Sequence, residues 1–118
     1  MKSPAPILKL GKNLIVPIEI ELTDEMVEEL HLCILKMIEK TNAKGLVIDV
    51  SLVEVVDSFF ARVLINIGRT AKCLNCDTVI VGITPEVAIT LTQMGLTWSR
   101  VKTALNVEDA LNILKNDD

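Results

Sequence analysis

The chain has 118 residues, 24% of them charged, with a net charge of −4 and a pI near 5.0. That length fits one domain, residues 1–118, large enough to bury a core without staples. The acidic balance and the lack of any basic run exclude the phosphate neutralisation on which nucleic-acid binding depends. Half of the residues are apolar, yet only 3% are aromatic and there is no Tyr, so the core is expected to be aliphatic. A ligand site built on stacked rings is excluded on the same ground. Residues 1–10 lack the charged and apolar regions of a signal peptide. No apolar run approaches the roughly 18 residues of a membrane span. Three cysteines, an odd number, read as free thiols in a reducing cytosol, so a cytoplasmic location and no membrane partner are expected.

Strand and helix signals alternate along the chain. Pro6 to Leu10 is short and apolar, and Gly11-Lys12-Asn13 reads as a turn. Leu14 to Leu22 alternates with period two, which predicts a half-buried strand forming a hairpin with the first. Pro17 donates no hydrogen bond and places that strand near a sheet edge. Thr23 caps a first helix, with Asp24 and Glu25 at its positive end. Met26, Val27, Leu30, Ile34, Met37 and Ile38 form its apolar face. Asn42 or Gly45 supplies the left-handed residue that ends it.

Leu46 to Val50 is an almost continuous apolar run, as expected of a central strand covered on both faces. Ser51 to Val56 is a loop, and Asp57 or Ser58 caps a second helix. Its apolar face is Phe59, Phe60, Val63, Leu64, Ile67 and Ala71, and Leu74 to Asp77 turns the chain. Thr78 to Ile83 is another buried strand. Thr84-Pro85-Glu86 opens a third helix carrying Val87, Ile89, Leu91 and Met94, which Gly95 ends. Val101 to Leu105 is a short strand. Asn106 caps a last helix packed by Ala110, Leu111, Ile113 and Leu114, and residues 116–118 fray. The order ββαβαβαβα predicts an α/β fold, with a mixed, mostly parallel sheet and right-handed crossovers.

Candidates for chemistry are few. The one histidine, His31, lies within the first helix, and no Ser or Cys has a sequence partner that would activate it. Asp49 ends a buried strand, where α/β sites often lie, but capping of the following loop is the simpler role. The five glycines are scattered and form no phosphate-binding loop, so no cofactor is expected. Gly68 stands inside a helical pattern, which suggests close helix packing. Cys73 and Cys76 have CxxC spacing, but the motif closes a helix instead of opening one. The negative helix end would not lower a thiol pKa there, so neither redox chemistry nor a metal site is expected.

The informative segment is Glu54-Val55-Val56-Asp57-Ser58-Phe59-Phe60. A polar Asp-Ser pair interrupts apolar sequence at a helix start. Simple N-capping is one reading. The other is a phosphorylation switch: a phosphate on Ser58 would meet helix N-terminal amides, so the fold would tolerate it. It would add ≈ −1.5 to −2 charge beside Glu54 and Asp57. A partner bound to an exposed patch of Val55, Val56, Asp57 and Phe59 would then be repelled.

Val56-Asp57-Ser58 before a helix, the buried strand Leu46 to Val50 and the order of elements resemble the STAS family of anti-sigma factor antagonists. Asp57 to Leu64, followed by Val81 to Leu91, is most similar to the single-domain RsbS-type subunits of the stressosome. The resemblance implies that Ser58 is phosphorylated by a serine/threonine switch kinase of the anti-sigma type. The unphosphorylated domain would hold that kinase and the phosphorylated one release it. It also implies homo-oligomers and assembly with STAS paralogues that carry sensory domains into a large complex. Neither enzyme activity nor a cofactor is implied. Ordinary antagonists often follow the serine with small residues, whereas Phe59 and Phe60 stand here, as core anchors or as assembly contacts. A stand-alone antagonist acting directly on an anti-sigma kinase is the alternative. Thr84 and Thr92 are secondary phosphosite candidates, for which capping or plain exposure is the simpler reading.

Overall fold

The structure is a computed structural model that describes residues 2–54, 56–93 and 101–116, with only the backbone of Thr90 and Leu91. Five strands form one sheet in the order β1-β2-β3-β4-β5. They are β1 (Leu8–Leu10), β2 (Asn13–Pro17), β3 (Gly45–Asp49), β4 (Asp77–Val81) and β5 (Lys102–Ala104). The hairpin pair β1–β2 is antiparallel, and the other pairs are parallel. The helices are α1 (Asp24–Thr41), α2 (Ser58–Cys73), α3 (Pro85–Gln93) and α4 (Val107–Asn116). This is the mixed, mostly parallel α/β order that the sequence predicts.

Alternation along the central strands divides the core in two. Leu14, Val16, Leu46, Ile48 and Ile80 point to one face, where Leu30, Ile34 and Ile38 of α1 and Leu64, Ile67 and Ala71 of α2 cover them. Val47, Val79 and Val81 point to the other face, under Ala110 and Leu114 of α4. Covering on both sides explains why β3 reads as a continuous apolar run. Gly68 is buried within α2.

Several boundaries differ from expectation. Alternation runs on to Leu22, but β2 ends at Pro17. Its neighbour β3 ends at Asp49, whose carbonyl accepts the last rung from Ile18 N at 2.9 Å, so residues beyond have no strand to pair with. Since Ile18 N faces β3, the missing donor of Pro17 faces the β1 side. There the β1 pairing has already stopped at Ile15, so Pro17 is tolerated one strand in from the edge. The first strand begins at Leu8, two residues after Pro6. β4 stops at Val81, because Gly82 takes φ +93° and leaves the extended region. β5 is confined to Lys102–Ala104, and Leu105 is exposed.

The caps agree more closely. Thr23 Oγ1 accepts from Met26 N, and Asn42 takes the left-handed position at φ 55°, resolving the choice between Asn42 and Gly45. Thr84 and Asn106 cap α3 and α4 through Val87 N and Asp109 N. The expected apolar face of α3 is only partly seated: Val87 is half-buried and Ile89 exposed. Met94, Gly95 and residues 117–118 lie outside the described residues.

Candidate functional site around Ser58

The loops that leave the C-terminal ends of β2, β3 and β4 gather at one end of the molecule. The β3–α2 loop is tied down by several contacts. Asp49 Oδ1 accepts from Ser51 N at 2.9 Å and from Ser51 Oγ at 2.6 Å, so Asp49 organises the loop, as the simpler reading had it. Val53 N donates to Val50 O at 3.0 Å, closing a tight turn. Glu54 N donates to Glu21 Oε1 at 3.3 Å, which couples this loop to the β2–α1 connection. Gly82 packs against the same turn, and a Cβ at that position would lie 2.5 Å from Ser51 Cα. Only glycine permits this approach at that φ.

The loop delivers the chain to α2 with Asp57 as N-cap. Its Oδ1 accepts from Phe60 N at 2.8 Å, and its carbonyl accepts from Ala61 N at 3.0 Å. Of the two capping candidates, then, Asp57 does the capping. Ser58 is the first helical residue, half-buried, and no hydrogen bond among the described residues engages its hydroxyl. The amides of Ser58 and Phe59 begin the helix, where N–H groups have no intrahelical partner. A small cleft of about 80 Å³ lies beside the cap, between Glu21 and Asp24 on one side and Asp57 and Phe60 on the other. Exposed Ile20 and Leu52 stand on the loops of the same end.

Two residues of the expected partner patch lie partly beneath the surface. Val56 and Phe59 are half-buried and pack against the core between sheet, α1 and α2, so neither forms an open apolar surface. Val55 lies outside the described residues. Phe60 is 8% exposed, which makes the Phe pair chiefly a core anchor that fixes the start of α2. Ile20 and Leu52, both exposed at this end, were not singled out in the sequence. Ile20 continues the alternation of Ile18 and so reads as buried, and nothing local marks Leu52 as exposed.

Other candidates are placed elsewhere. His31 Nε2 lies 2.9 Å from Thr70 Oγ1 and links α1 to α2. Thr70 Oγ1 also lies 2.9 Å from the Asn66 carbonyl and 3.1 Å from the Ile67 carbonyl. Cys73 ends α2 and is exposed, whereas Cys76 is buried and its thiol is pushed up to about 11, chiefly by that burial. Thr84 is engaged as a cap, and Thr92 Oγ1 donates to Ala88 O within α3. No helix among the described residues is long and apolar enough to cross a membrane.

These elements make an α/β domain with a five-stranded mixed sheet and Ser58 at the start of α2. Residues 5–110 match the STAS domain, and the chain belongs to that family. It is similar to RsbS S58E of Moorella thermoacetica, with 47% identity, a TM-score of 0.85 and 97% of each chain covered. A chain from the molecular architecture of the stressosome, a signal integration and transduction hub, is 49% identical, with a TM-score of 0.82 and coverage of 94% and 96%. The RsbT co-antagonist protein RsbRD of Bacillus subtilis is 30% identical over 108 residues, which are 91% of this chain and 39% of that protein. The chain is thus an RsbS-like STAS domain, and it spans well under half the length of that co-antagonist.

Proposed function

We propose that this protein is a phosphorylation-switched scaffold of a stressosome, without enzymatic activity, that sequesters a serine/threonine switch kinase until Ser58 is phosphorylated. The observation that carries the reading is the division of labour at the start of α2. Asp57 performs the capping, so Ser58 is free of a structural hydrogen bond among the described residues. A phosphate on Ser58 would meet the amides that open α2 and leave the fold in place. It would also place a dianion beside Asp57, recoding the surface without unfolding it. The Moorella relative supports the reading, because it carries a serine-to-glutamate substitution, S58E in that protein's own numbering, which puts a carboxylate where a serine stood. Its stressosome relative and the RsbT co-antagonist support assembly with larger STAS paralogues. The partner-facing surface is Asp57 and Ser58 with the neighbouring loops, and Val56 and Phe59 act from beneath it.

The test is a comparative capture from the source organism's cytosol with wild-type, Ser58→Ala and Ser58→Asp baits. Wild type and Ser58→Ala are expected to retain a small kinase, and Ser58→Asp to lose it while its circular dichroism stays native. Identical catches from all three would overturn the switch. The alternative, a stand-alone antagonist acting directly on an anti-sigma kinase, is separated by size. A scaffold joins a very large particle when mixed with its paralogues, whereas a lone antagonist stays small.

A further inference from the structure

The end of the molecule opposite Ser58 carries a second concavity, of about 350 Å³, between the β1–β2 turn, the starts of β3 and β4, and the last turns of α4. Lys12, Lys44 and Lys115 line it, each exposed, and Asn13 adds a side-chain amide. Three cations around one recess stand out in a chain with 12 basic and 16 acidic residues. Among the described residues the one carboxylate in the lining, Asp77, is paired with Lys72 at 2.7 Å. Among the described residues the lining of the recess is therefore net positive, on an acidic protein.

Its rim is braced by the backbone. Lys44 N donates to Lys12 O at 2.8 Å, and Asp77 N donates to Lys44 O at 3.0 Å. These bonds hold the segments bearing Lys12, Lys44 and Asp77 in one fixed arrangement. Leu111 and Leu114 supply an apolar wall, and among the described residues the lining holds no aromatic ring on which a base could stack. The volume lies in the range of small-molecule sites, which combine apolar walls with a few polar groups. Three ammonium groups suit a dianion better than a monoanion, because each adds an attraction that scales with ligand charge.

We propose that this recess binds a small phosphate-bearing anion with a compact aliphatic body. Nothing in the Ser58 switch uses it. The two sites lie at opposite ends of the parallel strands, so each can be tested without the other.

The experiment is a titration of the full chain followed by amide chemical shifts, with inorganic phosphate and n-butyl phosphate as probes. Sodium chloride at matched ionic strength and n-butanol are the controls. Saturable shifts are expected at Gly11, Lys12, Lys44, Gly45 and Asn112, with n-butyl phosphate binding several-fold more tightly than inorganic phosphate. Lys12→Gln and Lys44→Gln are each expected to weaken binding by roughly two- to fivefold, the range of an exposed charge interaction. Lys115→Gln, on the exposed side of α4, provides a third variant should either of the others lose its dispersed spectrum. Non-saturating shifts that match the chloride control would overturn the proposal. So would saturable shifts centred on α2, or affinities indifferent to all three substitutions. Equal affinity for the two phosphates would overturn the aliphatic body.

Discussion

Asp57 and Ser58 are neighbours with separable duties. The Asp57 carboxylate satisfies Phe60 N, which would otherwise lack an intrahelical partner. Removing it in Asp57→Ala is expected to lower stability by about 1 kcal/mol, the usual worth of an N-cap. Ser58→Ala is expected to stay within about 0.5 kcal/mol of wild type, because no hydrogen bond among the described residues is lost. Urea unfolding of the two variants checks both values, and a larger loss in Ser58→Ala than in Asp57→Ala would reverse the assignment of the cap. The sequence marked this pair but left open which residue capped. Both residue types cap well, and the choice depends on where the preceding loop brings the chain into the helix. That loop is set by contacts from distant positions: Glu21 to Glu54, and Gly82 against Ser51.

At the scale of elements, α1 and α2 are packed side by side on one face of the sheet and joined by His31 and Thr70. Burial in that interface lowers the His31 pKa from 6.5, and Glu28 partly offsets the effect. The folded state thus takes up the proton less readily than the unfolded chain. The contribution of neutral His31 is complete above the unfolded value and is lost as pH falls through the folded one. The urea midpoint is therefore expected to drop between about pH 7.5 and about pH 5, and the drop to shrink in His31→Gln. An unchanged drop in that variant would assign the effect to carboxylates. The sequence placed His31 on a helix, but its partner is 39 residues away, beyond the reach of spacing rules.

Across the whole molecule, cover is uneven. β3 and β4 are sandwiched between α1 and α2 on one side and α4 on the other. β1 is a three-residue edge strand whose Leu8 and Leu10 are 52% and 53% exposed. Amide hydrogen exchange is expected to be slowest in β3 and β4 and fastest, among the strands, in β1. Protection of β1 equal to that of β3 would show that another surface covers this edge in solution. Among the described residues charge is also polarised, with carboxylates of Glu21, Asp24, Glu54 and Asp57 around the Ser58 end and lysines around the opposite recess. No segment of the chain announces that polarity, since it arises when loops distant in sequence meet at the two ends of the strands.

The sequence by itself determined the order of elements, the parallel pairing, three of the helix caps and the position of the Asp57-Ser58 pair at the start of α2. Those properties rest on local signals: period, capping chemistry and an Asp-Ser pair that interrupts apolar sequence. Where β2 stops, which of Asp57 and Ser58 caps, the burial of Val56 and Phe59, and the exposure of Ile20 were decided only in the tertiary structure. Each depends on a neighbour from elsewhere in the chain. A strand continues only as far as its partner does, and an apolar side chain is buried only where another element arrives to cover it.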